Sequence, residues 1–206
     1  MMFAKKYFKS FFQGIDNSKF FIDGSISADD TFFPSLNRSL TECYKQSGRL
    51  FFIGNGASAA FSNHMALDWS KNGKIIAHSL SDSSLITAIG NDYNYESIFS
   101  RFLEIYHFDR KDFLITTSSS GNSPNIINAL KYARLKSNYT LSFSGLKDDN
   151  SSIPNSRFAI YTPFKTYGMV ECAHQYFHHL ILDQYMNIHE WDKIEPQNMN
   201  SDNFKL

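Results

Sequence analysis

Two places in the chain put histidine and carboxylate side chains at helical spacing. His64 and Asp68 are four residues apart and share one face of any helix that carries them. Glu171, His174, His178 and His179 fall within nine residues further on. Neutral imidazole nitrogens and carboxylate oxygens suit zinc or a similar divalent ion, although an isolated His–Asp pair at this spacing also reads as a surface ion pair. A third feature has different chemistry. The run Thr116-Thr117-Ser118-Ser119-Ser120-Gly121-Asn122-Ser123-Pro124 offers small hydroxyl donors and a glycine immediately before a helix-starting proline. Backbone amides and a helix dipole at such a turn favour an anion, and without a lysine the turn is not a nucleotide P-loop. Gly54-Asn55-Gly56-Ala57-Ser58 has the same strand-to-helix setting, and the dinucleotide fingerprint Gly-x-Gly-x-x-Gly is absent. Each turn alone also reads as an ordinary surface loop; two on one sheet make the stronger case.

The elements that must position these residues follow from hydrophobic period. Short apolar runs predict strands over 50–53, 74–77, 113–116, 139–143 and 157–161. Helices are predicted over 58–71, from Asp92 through Tyr106, over 124–136 with Ser123 as cap, and over 167–187. Upstream, Asp29 or Asp30 starts a helix to about residue 46. Phe3, Tyr7, Phe8, Phe11, Phe12 and Ile15 form an aromatic stripe on a first helix, expected to pack on the core or on another subunit. Strands alternating with helices predict a three-layer α/β/α sandwich with a five-stranded parallel sheet and extra N-terminal helices. Ligands in such sheets bind beyond the carboxyl ends of the strands, where both turns sit.

Composition narrows the function classes. Lys plus Arg and Asp plus Glu both total 20 of 206 residues, so no basic excess points to nucleic acid. No run of about 18 apolar residues predicts a membrane span or a signal peptide core. Two cysteines, Cys43 and Cys172, form no framework, and a reducing cytoplasm is the expected compartment. The 20 Phe and 11 Tyr point to heavy core and interface packing. After Trp191 the chain turns polar, so the expected organisation is one domain over 1–190, its core over 30–190, and a tail over 191–206.

Taken together the motifs resemble those of bacterial phosphoheptose isomerases, which are built on a sugar-isomerase (SIS) domain. Phe52 to Ala60 followed by His64 and Asp68 resembles the first signature. Thr87-Ala88-Ile89-Gly90-Asn91-Asp92-Tyr93 with Phe99-Ser100-Arg101 resembles the central one, and Ser118 to Asn125 the serine loop. The likeness runs, more loosely, over 11–184. It implies a flavodoxin-like SIS fold and a homotetramer with active sites between subunits. It further implies conversion of sedoheptulose 7-phosphate to D-glycero-D-manno-heptose 7-phosphate for surface-glycan heptose synthesis. Carried over by position, Asn55, Gly56, Ala57, Ser58, Asn91, Asp92, Ser118, Ser119, Ser120, Ser123 and Glu171 contact substrate. His64, Asp68, Glu171 and His179 hold zinc, with Asp68 and His179 doubling as acid and base.

The chain departs from the family pattern at several positions. Ala57 stands for the family's second glycine, Asp68 for its metal-binding Glu, and Glu171 for its Gln; Gly168-Met169 stand where it tends to have Asp-Arg. Glu171 and His179 are eight residues apart, about 12 Å along a straight helix. Two other expectations compete with the heptose reading: an isomerase of another sugar phosphate, and a non-catalytic SIS protein that binds the bacterial replication initiator. Relatives of that last kind lack the metal-site residues, whereas His64, Asp68 and His179 are all present here.

Overall fold

Strands that are apolar at every position need cover on both faces. The computed structural model describes residues 2–189 and 191 and supplies that cover. In chain order the elements are α1 (Phe3–Asp16), β1 (Lys19–Ile22), β2 (Ser25–Ser27), α2 (Asp29–Lys45), β3 (Leu50–Gly54), α3 (Ala57–Lys71) and β4 (Ala77–Ser79). There follow α4 (Ser83–Asp92), α5 (Ile98–Ile105), β5 (Phe113–Thr117), α6 (Pro124–Lys136), β6 (Thr140–Ser144), β7 (Phe158–Tyr161) and α7 (Tyr167–Met186). The sheet order is β2-β1-β7-β6-β5-β3-β4. The five strands β3 to β7 are parallel, as expected, and the hairpin β1–β2 extends the β7 edge antiparallel.

Alternation along the strands splits the core into two layers. Leu50, Phe52, Phe113, Ile115, Leu141 and Phe143 meet α2, α3 and α7 through Phe32, Leu36, Met65, Trp69 and Phe177. Phe51, Ile53 and Leu114 point the other way, onto Phe99 and Phe102 of α5 and Ile126 and Leu130 of α6. Layer by layer, the α/β/α sandwich is the predicted one. Among the described residues no helix is long and apolar enough to cross a membrane.

Several local expectations change. The hairpin was not predicted, yet Asp23-Gly24 is a two-residue turn with both φ positive, at 48° and 78°. The strand placed over 74–77 is instead β4, pairing Leu50 with Ala77 and Phe52 with Ser79. Asp92 ends α4 rather than starting the next helix; Asp82 caps α4 by accepting from the Leu85 amide at 3.0 Å, and Asn94 accepts from Ser97 at 2.8 Å ahead of α5. The α2 start carries Asp29 and Asp30 in its first turn, favourable to the dipole, with no side-chain cap. No residue of α1 is buried; Phe11 stacks on Phe164 at 5.6 Å while Phe3, Phe8 and Phe12 stay exposed. The predicted tail over 191–206 lies outside the described residues apart from Trp191.

Candidate active site

The register of β3 and β5 brings the two polar turns together. Gly54 pairs with Thr117, so both strands end level and their turns stand side by side. The chain leaves β3 towards β4 on one side and returns to β5 on the other, which makes this crevice the switch point of the sheet. Close approach of α3 depends on Gly54, where a Cβ would stand 2.7 Å from the Ser58 backbone. Gly56, at φ +57°, turns the chain into that helix.

The result is a cavity of about 320 Å3 lined by Asn55, Gly56, Ala57, Ser58, Thr117, Ser118, Ser119, Ser120, Ser123, Tyr167 and Glu171. Neither α3 nor α6 has a side-chain cap from its N-cap residue; the Ser58, Ala59 and Ile126 amides bond within their own turns, and the positive ends of both helix dipoles face the cavity. Ser123 sits at the predicted cap position, but its hydroxyl lies 3.5 Å from that of Ser118 instead. Two helix dipoles and a set of neutral hydroxyls therefore converge, an arrangement that favours an anion with several acceptor oxygens. Asn55 is tied sideways: its amide exchanges hydrogen bonds with Asn125 and accepts from the Tyr95 hydroxyl at 3.0 Å. Asn91 and Asp92 do not line this cavity; they are exposed at the end of α4, Asn91 donating to Asp92 at 3.1 Å.

A second cluster forms where α3 and α7 pack against each other. His64, Asp68 and His179 place one ligand atom each within 4.8 Å of the others. His64 Nε2 lies 3.2 Å from Asp68 Oδ2, and the two imidazole rings are 5.5 Å apart between centroids. Two nitrogens and one carboxylate oxygen fit a zinc-like divalent cation. Glu171 stands outside this trio. It lies two turns earlier on α7 and lines the serine-rich cavity, consistent with a rise of about 12 Å to His179.

The other two histidines of α7 face the sheet. His178 Nε2 meets the Thr117 hydroxyl at 2.9 Å, and His174 packs on Phe143 with its ring beside the Ser144 backbone. Complete burial pushes His174 down to about 4 and His178 well below the usual imidazole range, so both are neutral. Three residues escaped the sequence reading. Thr117 was legible as part of the hydroxyl run; Gln175, four before His179, was legible from spacing. Tyr167 carries no signal beyond its place at the start of α7.

The SIS-domain family profile matches residues 33–145, which include both turns together with His64 and Asp68. The chain belongs to the SIS-domain family. Within it the kinship is to phosphoheptose isomerases. Phosphoheptose isomerase 1 of Campylobacter jejuni is 41% identical over 112 residues, 52% of this chain and 60% of that protein's length. The phosphoheptose isomerase of Citrifermentans bemidjiense is 33% identical over 150 residues, 70% of this chain and 77% of its own. The phosphoheptose isomerase of Neisseria gonorrhoeae shares the fold at a TM-score of 0.72 and 23% identity, over 88% of this chain and 97% of that one. The SIS cradle and the His–Asp–His cluster thus lie on a scaffold shared with sugar-phosphate isomerases.

Proposed function

We propose that the protein is an aldose–ketose isomerase that converts sedoheptulose 7-phosphate to D-glycero-D-manno-heptose 7-phosphate, supplying heptose for a surface glycan. One observation carries this reading: α3 and α7 each line the anion cradle at their first turns and hold the His–Asp–His cluster further along. From Ser58 to His64 the helix rises about 9 Å, and from Glu171 to His179 about 12 Å. A stretched seven-carbon sugar phosphate reaches across such a gap, phosphate in the cradle and C1–C2 at the cluster.

Isomerisation moves a proton between C1 and C2 through an enediol, which needs one group at carbon and another at oxygen. His179 and Asp68 share that work, His64 orienting the Asp68 carboxylate through their 3.2 Å contact. Ser118, Ser119, Ser120 and Ser123 grip the phosphate, and this remote binding holds the reacting end in place. A zinc-like ion held by His64, Asp68 and His179 supplies Lewis-acid polarisation of the carbonyl when bound. Asn91 and Asp92 lie off the cavity of their own chain, and the apolar face of α1 is exposed. Both features support a homotetramer in which those two residues serve a neighbour's site.

The cluster supports this reading over a purely regulatory SIS protein, which has no use for these three side chains. Incubation of the purified protein with sedoheptulose 7-phosphate, with and without added zinc, tests the assignment. Zinc-stimulated formation of the aldose phosphate is expected. Absence of conversion under both conditions, with sugar phosphate still bound, transfers the chain to the regulatory class.

A further inference from the structure

Asn55 lines the cradle, yet most of the bonding capacity of its side chain is taken up within the protein. Its Oδ1 accepts from two donors, the Asn125 amide at 2.9 Å and the Tyr95 hydroxyl at 3.0 Å. Its Nδ2 donates to Asn125 Oδ1 at 3.1 Å. Backbone sets the direction of this exchange. Asn125 Oδ1 also accepts from the Ile126 amide at 2.9 Å, and a backbone N–H has no acceptor to offer in its place. Buried Asn125 therefore keeps its oxygen where it is. Turning Asn55 over then sets nitrogen against nitrogen and oxygen against oxygen. With both lone pairs of Asn55 Oδ1 occupied, what the side chain has left for a ligand is its second Nδ2 hydrogen, a donor.

Tyr95 reaches Asn55 from a different element, the turn Tyr95–Ser97 ahead of α5. That turn is itself held. Asn94 accepts from the Ser97 amide at 2.8 Å, and Asn128 of α6 donates to the Glu96 carbonyl at 3.0 Å. Tyr95 is otherwise 60% exposed, so the core depends little on its ring. We propose that Tyr95 is a positioning residue of the cradle: its hydroxyl locks Asn55 so that an N–H donor, and not the carbonyl, faces the bound sugar phosphate. The proposal rests on reading the cradle as a sugar-phosphate site. Asn125 decides which way the amide points, and Tyr95 keeps it from swinging out to water. A donor fixed in advance suits an acceptor oxygen of the ligand and adds no ordering cost when the ligand arrives.

A double-mutant cycle separates acting through Asn55 from touching the ligand directly. Calorimetry, which needs no turnover, gives the Kd of sedoheptulose 7-phosphate for the wild-type chain, Tyr95→Phe, Asn55→Ala and the double variant. Tyr95→Phe should raise Kd about 3–10-fold, the scale of one neutral hydrogen bond, with the thermal midpoint unchanged. In the Asn55→Ala background the same change should have no further effect. A second readout needs no ligand and holds even where Asn55→Ala binds too weakly to titrate. The Asn55 side-chain amide signals in proton–nitrogen NMR spectra, identified by their loss in Asn55→Ala, should move towards solvent-averaged positions in Tyr95→Phe. Equal loss of affinity from Tyr95→Phe in both backgrounds, no loss at all, or unmoved Asn55 signals overturns the proposal and leaves the sugar-phosphate site standing. Failure of the wild-type chain to bind the sugar phosphate removes that site and the proposal with it.

Discussion

The cradle and the His–Asp–His cluster are made from different parts of the chain. The cradle is mostly backbone: two strand ends in register, two uncapped helix starts, and a glycine that lets α3 approach. Its serines add to a field already present. The cluster is all side chain, projected from the faces of two helices, and His64 keeps 49% of its side-chain surface exposed. On the proposed reading, anion binding is distributed over many small contributions, while proton transfer is concentrated in two groups. Single substitutions should therefore act by degrees in the cradle and almost all-or-none in the cluster.

The largest effect belongs to the cluster. His179→Ala should cut turnover about 10²–10⁴-fold with little change in KM or in the thermal midpoint, since the ring is only partly buried. Steady-state kinetics and a melting curve check both halves. A fall in stability matching the fall in rate contradicts the division of labour.

Next comes the buried helix face that connects the regions. His174 is held near 4 when folded and rises towards about 6.5 when unfolded. Above about pH 6.5 neither state is protonated there and the full stability is present. Between about 6.5 and 4 the unfolded chain binds the extra proton, so stability falls with pH by up to about 3 kcal/mol. Urea unfolding of the chelator-treated protein at several pH values should show this slope, and His174→Leu should make it shallower, leaving the part that the equally buried His178 contributes.

Gly54→Ala places a methyl group against the Ser58 backbone and should cost about 1–3 kcal/mol, together with weaker phosphate binding. Competition by inorganic phosphate and denaturant midpoints read the two losses. The smallest effect is expected for Ser119→Ala, a buried hydroxyl among several in the cradle. Losing one charge-assisted hydrogen bond, about 1.5 kcal/mol, should raise KM about 10-fold and leave kcat almost unchanged. A thousandfold loss from that serine alone erases the contrast between the regions.

Much of this was legible in the sequence, for reasons that differ by element. Strands β3, β5 and β7 read as short apolar runs, and α6 begins where Ser123-Pro124 announces it, so period and punctuation placed them; β4, Ala77-His78-Ser79, was placed too early because the apolar signal sits at Ile75 and Ile76 just before it. The hairpin β1–β2 was missed because its strands are only four and three residues long, although Asp23-Gly24 marks its turn. Asp92 was misread because an acidic residue before an apolar run looks the same whether it ends one helix or starts the next; the cap turned out to be Asp82. His64 and Asp68 were readable as a pair by spacing within one helix. That His179 joins them depends on α3 packing against α7, a long-range contact that no local pattern encodes. The same limit hid Gln175, whose spacing to His179 is plain but whose burial against Met65 is tertiary.

The central claim is that one substrate spans cradle and cluster, its phosphate anchoring the end where the proton moves. Comparing kcat/KM for sedoheptulose 7-phosphate with that for unphosphorylated sedoheptulose tests it most directly. Loss of the phosphate should lower kcat/KM by about 100-fold or more, because remote binding energy is what positions C1 and C2 at His179 and Asp68. Equal values for the two sugars contradict the account.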